Sequence, residues 1–104
     1  MTTAIAPTKT QNDDVKIVES VLHTHFPTAE CYRYHSLALR VRIIDEKFRG
    51  MSKVARSEIV EPMLEQLPLE IQEDLFFVLL LAPEEVATSE MNQEFENPRP
   101  TLIA

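Results

Sequence analysis

From Leu37 to Ile44 the chain alternates: Leu37, Leu39, Val41 and Ile43 against Ala38, Arg40, Arg42 and Ile44. A period of two predicts a strand with one buried face and one largely basic face. Asp45-Glu46-Lys47 ends the apolar run and Phe48-Arg49-Gly50-Met51-Ser52 turns the chain. Gly50 takes positive φ without steric cost, and Ser52 can accept from the first free amides of a following helix. Val54, Val60, Met63, Leu64 and Leu67 then recur at helical spacing, which predicts an apolar stripe facing back toward the strand.

The flanking segments extend this pattern. Asp13 or Asp14 starts a helix with the stripe Val15, Val18, Val21 and Leu22, ending near Phe26 because Pro27 follows. Ala29 to Tyr34 reads as a second strand, with Tyr32 and Tyr34 on one face and Cys31 and Arg33 on the other. The short gap at His35-Ser36 predicts an antiparallel hairpin with the strand after it. Pro62 inside the next helix predicts a kink or a break into two helices, and Pro68 to Asp74 a connector. Leu75 to Leu81 is apolar on both faces, which predicts a central strand covered on at least one side. Pro83-Glu84-Glu85 suits a short helix start. The expected organisation is a disordered arm over residues 1–12, a domain over 13–87 and a polar tail over 88–104, onto which Met91, Phe95, Leu102 and Ile103 can dock. The fold class is α+β: a three-stranded mixed sheet with helices on one face, in the order α-β-β-α-α-β.

Composition narrows the function classes. With 104 residues the chain makes one domain with a modest core. No apolar run approaches membrane-spanning length, and a single cysteine, Cys31, excludes an internal disulfide framework and fits a reducing cytoplasm. The net charge of −7 is unevenly spread: residues 33–56 hold seven basic and two acidic residues, and the remainder three basic and fifteen acidic. General acidity argues against loose binding to nucleic acid, whereas the basic middle permits a local patch. No Ser/His/Asp order, phosphate loop or metal-spaced cluster can be assembled, so catalysis ranks last. His23 and His25 are two apart, point to different sides of a helix and make a poor metal pair.

The segment Arg40 to Val86 resembles the BolA family. The resemblance rests on the strand Val41-Arg42-Ile43-Ile44, the turn Phe48-Arg49-Gly50-Met51-Ser52, then Val54-Ala55-Arg56, Ile59-Val60 and Leu64, and the closing Ala82-Pro83-Glu84-Glu85. It implies a fold similar to class II KH domains, with the order α-β-β-α-α-β. It also implies a non-enzymatic, stress-linked regulator proposed to bind DNA, or a partner of a monothiol glutaredoxin sharing a [2Fe-2S] cluster in iron regulation. Where the family carries a histidine ligand at the start of the last strand, this chain has Asp74-Leu75-Phe76, and the usual Arg-His pair reads Arg56-Ser57. Cys31 and His35 are the candidate metal ligands that remain near the hairpin.

The leading expectation is therefore a regulatory or adaptor protein. Its candidate nucleic-acid contacts, to DNA or RNA, are Arg49, Gly50, Ser52, Lys53 and Arg56 at the turn and helix, extended by Arg40 and Arg42 from the sheet. A helix N-terminus at Ser52 suits a phosphate, although the GxxG clamp of KH domains is absent. A protein partner suits the acidic surface at least as well.

Overall fold

The computed structural model describes residues 13–35 and 38–99 in full, and residues 3–5, 9–10 and 101–103 as backbone only. In chain order the elements are β1 (Thr3–Ile5), β2 (Lys9–Thr10), α1 (Asp13–His23), β3 (Glu30–Tyr34), β4 (Ala38–Ile44), α2 (Lys53–Leu64), α3 (Leu69–Glu73), β5 (Leu75–Leu81), α4 (Glu90–Glu96) and β6 (Thr101–Ile103). One-turn 3-10 helices at Glu46–Phe48 and Pro83–Glu85 follow β4 and β5.

The three long strands form the expected mixed sheet. β3 and β4 make an antiparallel hairpin with Cys31 opposite Val41, Tyr32 opposite Arg40 and Glu30 opposite Arg42. β5 runs parallel to β4, with Val78 beside Val41 and Leu80 beside Ile43. A parallel partner requires a crossover, and α2 and α3 supply it. The α-β-β-α-α-β order of the resemblance is thus present over α1 to β5. β2 adds two residues beside β3, and β1 pairs with β6 in a separate ladder. The rest of the arm over 1–12, together with Ser36, Leu37 and the side chains of Leu102 and Ile103, lies outside the described residues.

The period-two pattern of β4 sets the core. Leu39, Val41 and Ile43 are wholly buried against Val15, Val18 and Leu22 of α1 and Val60 and Met63 of α2. Phe26 and Phe48 stack at 5.5 Å between ring centroids, tying the end of α1 to the turn after β4. Each such side chain contributes about 1.5–3 kcal/mol on burial.

Four expectations are corrected. Among the described residues β5 is an edge strand, bonded to β4 alone, and the centre of the sheet is β4. An apolar run does not report how many neighbours a strand has: one face of β5 is partly covered, while Phe76 and Val78 on the other are exposed. Val54 points outward at 68% exposure, because the buried face of α2 follows Arg56, Val60, Met63 and then Leu67. α2 continues through Pro62 to Leu64, so of the kink or break expected there the break is not found, and the two helices are separated at Glu65–Pro68, where Pro68 is the N-cap of α3. Finally, the basic face of the sheet is not open to solvent, since α4 lies across it.

Candidate interaction site

The turn after β4 is built by its own polar groups. The Asp45 carboxylate accepts from the Lys47 amide at 2.8 Å, and Gly50 takes φ +73°, where a side chain would be strained although nothing lies within 4 Å to obstruct it. Ser52 Oγ accepts from the Ala55 amide at 3.2 Å and caps α2. Arg49, Gly50, Ser52 and Lys53 come together here. Arg49 is bound to carboxylates of Glu46 and Glu84, and its hydrogen bond to Glu46 draws that exposed carboxyl below its ordinary value. Lys53 has no ion-pair partner among the described residues, and the first turn of α2 carries no acid.

Arg56 does not share this exposure. Its guanidinium lies inside, only 7% exposed, donating to the Met51 carbonyl at 3.1 Å, the Leu80 carbonyl at 2.9 Å and both oxygens of Glu85. Glu85 also accepts from the Ala82 amide at 2.7 Å. Bonding from Arg56, then from that amide, holds its carboxyl below the ordinary range. Arg56 is therefore an internal brace joining α2, β5 and the 3-10 turn, a correction to its expected place on the surface patch.

Arg40 and Arg42 project from the opposite face of the sheet, under α4. Arg40 Nη1 lies 2.9 Å from Glu94 Oε2, and its guanidinium sits 3.8 Å from the Tyr34 ring centroid. Arg42 binds Glu30 at 2.6 Å, the Asn92 side-chain oxygen at 2.9 Å and the Glu96 carboxylate. Phe95 packs on Tyr32 at 4.8 Å, and the Tyr32 hydroxyl donates to its carbonyl at 2.8 Å. The two arginines are neutralised and covered, which corrects the expectation of an exposed basic sheet face. The segment that covers them, Glu94-Phe95-Glu96, carries the signal in retrospect: an aromatic anchor flanked by two acids opposite two arginines.

The candidate metal ligands do not converge. Cys31 is buried beneath α1, where desolvation, reinforced by the charge of Glu19, pushes its thiol to about 12. His35 lies beyond the end of β3 at φ +58°, four residues or roughly 13 Å of strand away. Asp74, standing where the resemblance implies a histidine, is bound to Arg33 at 3.0 Å, and Arg33 also holds Asp14 at 2.8 Å. Iron beside sulfide requires thiolate or imidazole. A buried neutral thiol, a remote imidazole and a salt-bridged carboxylate do not fit a [2Fe-2S] cluster. Among the described residues no group of three or more His, Cys, Asp and Glu side chains is arranged to hold a metal ion.

What the sequence pattern did not single out is a groove of about 600 Å³ along the free edge of β5, lined by Met51, Lys53, Phe76, Val78, Leu80 and Met91 among others. Phe76 is 75% exposed, and Val78 and Met91 are also exposed. A run apolar on both faces was the only signal, and it fits a covered central strand equally well. No described helix is long and apolar enough to cross a membrane.

No protein-family model matches the chain, and no curated protein sequence matches it. Among solved structures, BolA1 from Arabidopsis thaliana is similar over 72% of this chain and 98% of that one, at 18% identity and a TM-score of 0.48.

Proposed function

We propose that the protein is a non-enzymatic adaptor or regulator that binds another macromolecule along the groove between the edge of β5 and the first turn of α2. The observation that carries this is the open apolar edge itself: a seven-residue strand with Phe76 and Val78 exposed and no described neighbour beyond it. Single exposed apolar residues are ordinary, but a continuous apolar edge attracts a partner. The BolA resemblance supports a protein partner of the monothiol glutaredoxin kind, engaged without a cluster ligand from Cys31, His35 or Asp74.

Nucleic-acid binding is the second reading, favoured by one observation: Lys53, with no ion-pair partner among the described residues, stands at the capped N-terminus of α2, next to Gly50 and Ser52. Arg49 is neutralised by two glutamates, and Arg40, Arg42 and Arg56 are engaged within the fold, so this contact carries little charge. Nuclear magnetic resonance titration of the ¹⁵N-labelled chain tests both. A monothiol glutaredoxin that shifts the Phe76–Leu80 amides supports the adaptor reading. Single-stranded DNA that shifts Gly50–Lys53 with a steep salt dependence favours the second. Neither partner shifting either segment defeats the site.

A further inference from the structure

We infer that the free edge of β5 takes an extended segment of a partner protein as an added strand, with an acidic residue of that segment against Lys53. This rests on the groove proposed above and names the kind of chain that fits it.

The direction of the backbone groups supplies the first argument. The Leu81 carbonyl turns toward β4 and accepts from the Asp45 amide at 2.9 Å. The Leu80 carbonyl turns the other way and accepts from Arg56 at 2.9 Å. Successive residues of a strand alternate in this respect, so Val78 presents its amide and carbonyl to the same open side as Leu80. Arg56 closes that edge at Leu80, and Val78, with the Leu80 amide, stays available for pairing beyond the register shift at Leu75–Phe77.

The second argument is that the edge lacks the usual guards. β5 contains no charged residue and no proline. Its one irregularity, the register shift opposite Leu39 and Arg40, falls at Leu75–Phe77, so the unguarded edge begins at Phe77. Edges left this way accept another strand.

Charge then selects the occupant. Arg56 and Glu85 satisfy each other at the end of the groove near Leu80, and Lys53, which also lies in the field of Glu85, has no ion-pair partner among the described residues. Phe76, Val78, Leu80 and Met91 supply the apolar lining, interspersed with Ser52, Ser57 and Ser89. An extended peptide with alternating apolar residues and one terminal acid matches both features. A polyanion would meet a single ammonium and a net charge of −7.

The test titrates the ¹⁵N-labelled full chain with synthetic peptides of alternating valine and threonine. One series ends in two aspartates, a second in two lysines, and a third carries N-methyl groups on alternate amides. The expected result is saturable shifts at Val78 and Leu80 with the aspartate series. Binding should be about tenfold weaker for the lysine series and for Lys53→Glu, and absent for the N-methylated peptides. Val78→Pro, which removes an amide facing away from β4, should abolish binding while far-UV circular dichroism stays native. The N-methyl comparison keeps the test decisive if that variant unfolds. No shifts with the unmethylated peptides, or equal binding of the N-methylated ones, overturns strand addition. If a glutaredoxin or DNA shifts the groove and the peptides do not, strand addition falls while the site itself stands.

Discussion

Arg56 and Glu85 meet edge to edge, Nη1 to Oε1 at 2.6 Å and Nη2 to Oε2 at 3.2 Å. The pair joins two sequence marks that lie 29 residues apart, the turn-and-helix segment and the Ala82-Pro83-Glu84-Glu85 close. With four acceptors around one guanidinium, Arg56→Ala should destabilise the fold by about 2–3 kcal/mol. Arg56→Lys should recover only part of this, because a single ammonium cannot reproduce the fork. Urea unfolding with a double-mutant cycle through Glu85→Gln measures the coupling. A cost under half a kcal/mol, ~0.5 or less, would show the contact to be incidental.

Acid sensitivity follows from the same carboxylates. Glu85 is held below its ordinary value by Arg56, and Glu94 is too, since bonding from Arg40 and the Arg99 amide outweighs the burial that pushes it up. A carboxyl with a depressed folded value protonates first in the unfolded chain. Its stabilising contribution is complete above the ordinary carboxylate value of about 4.5 and is lost as pH falls through the folded values. Melting temperature should therefore be level near neutrality and fall steeply in acid, and Glu94→Gln should reduce the slope. An unchanged slope in that variant would remove Glu94 from the account.

Phe95 anchors α4 between Tyr32 and Phe77. Truncation to alanine should cost about 3–5 kcal/mol, as for other buried phenylalanines. Hydrogen exchange should then accelerate across Glu90–Glu96 before it does in β4. Uniform acceleration across the whole domain would mean that α4 and the sheet unfold as one unit.

Cys31 should behave as a core side chain. With its thiol at about 12 and its side chain under α1, alkylation by iodoacetamide at mild alkaline pH should proceed only as fast as the domain opens. Reconstitution with iron and sulfide should give the same visible spectrum for the native chain and Cys31→Ala. A spectrum that depends on Cys31 would restore it as a ligand.

The elements that were legible in the sequence are those whose periodicity is local. The stripe Val15, Val18 and Leu22 places α1, and the alternation in β4 places the core face. Gly50 and Ser52 mark the turn and the cap. The features that escaped depend on distant partners. Arg56 reads as surface charge because its acceptors, Leu80 and Glu85, lie a crossover away. α4 has only Met91 and Phe95 as apolar residues, and its position follows from Arg40 and Arg42, about fifty residues earlier in the chain. Val54 is apolar but exposed, because the buried position of that helical turn belongs to Arg56. β5 shows the limit of face patterns, since hydrophobicity does not count strand neighbours.

β4 owes its central place to segments made at different times. Its hairpin partner β3 precedes it by a few residues, but its parallel partner β5 begins thirty residues after β4 ends. At a synthesis rate of about 5–20 residues per second, that interval is roughly 2–6 s. A hairpin closes in about 1–10 μs. The nascent chain thus holds a paired β3–β4 ribbon whose second edge stays uncovered for that interval. Correct folding depends on β5 reaching that edge before the edge of another chain does.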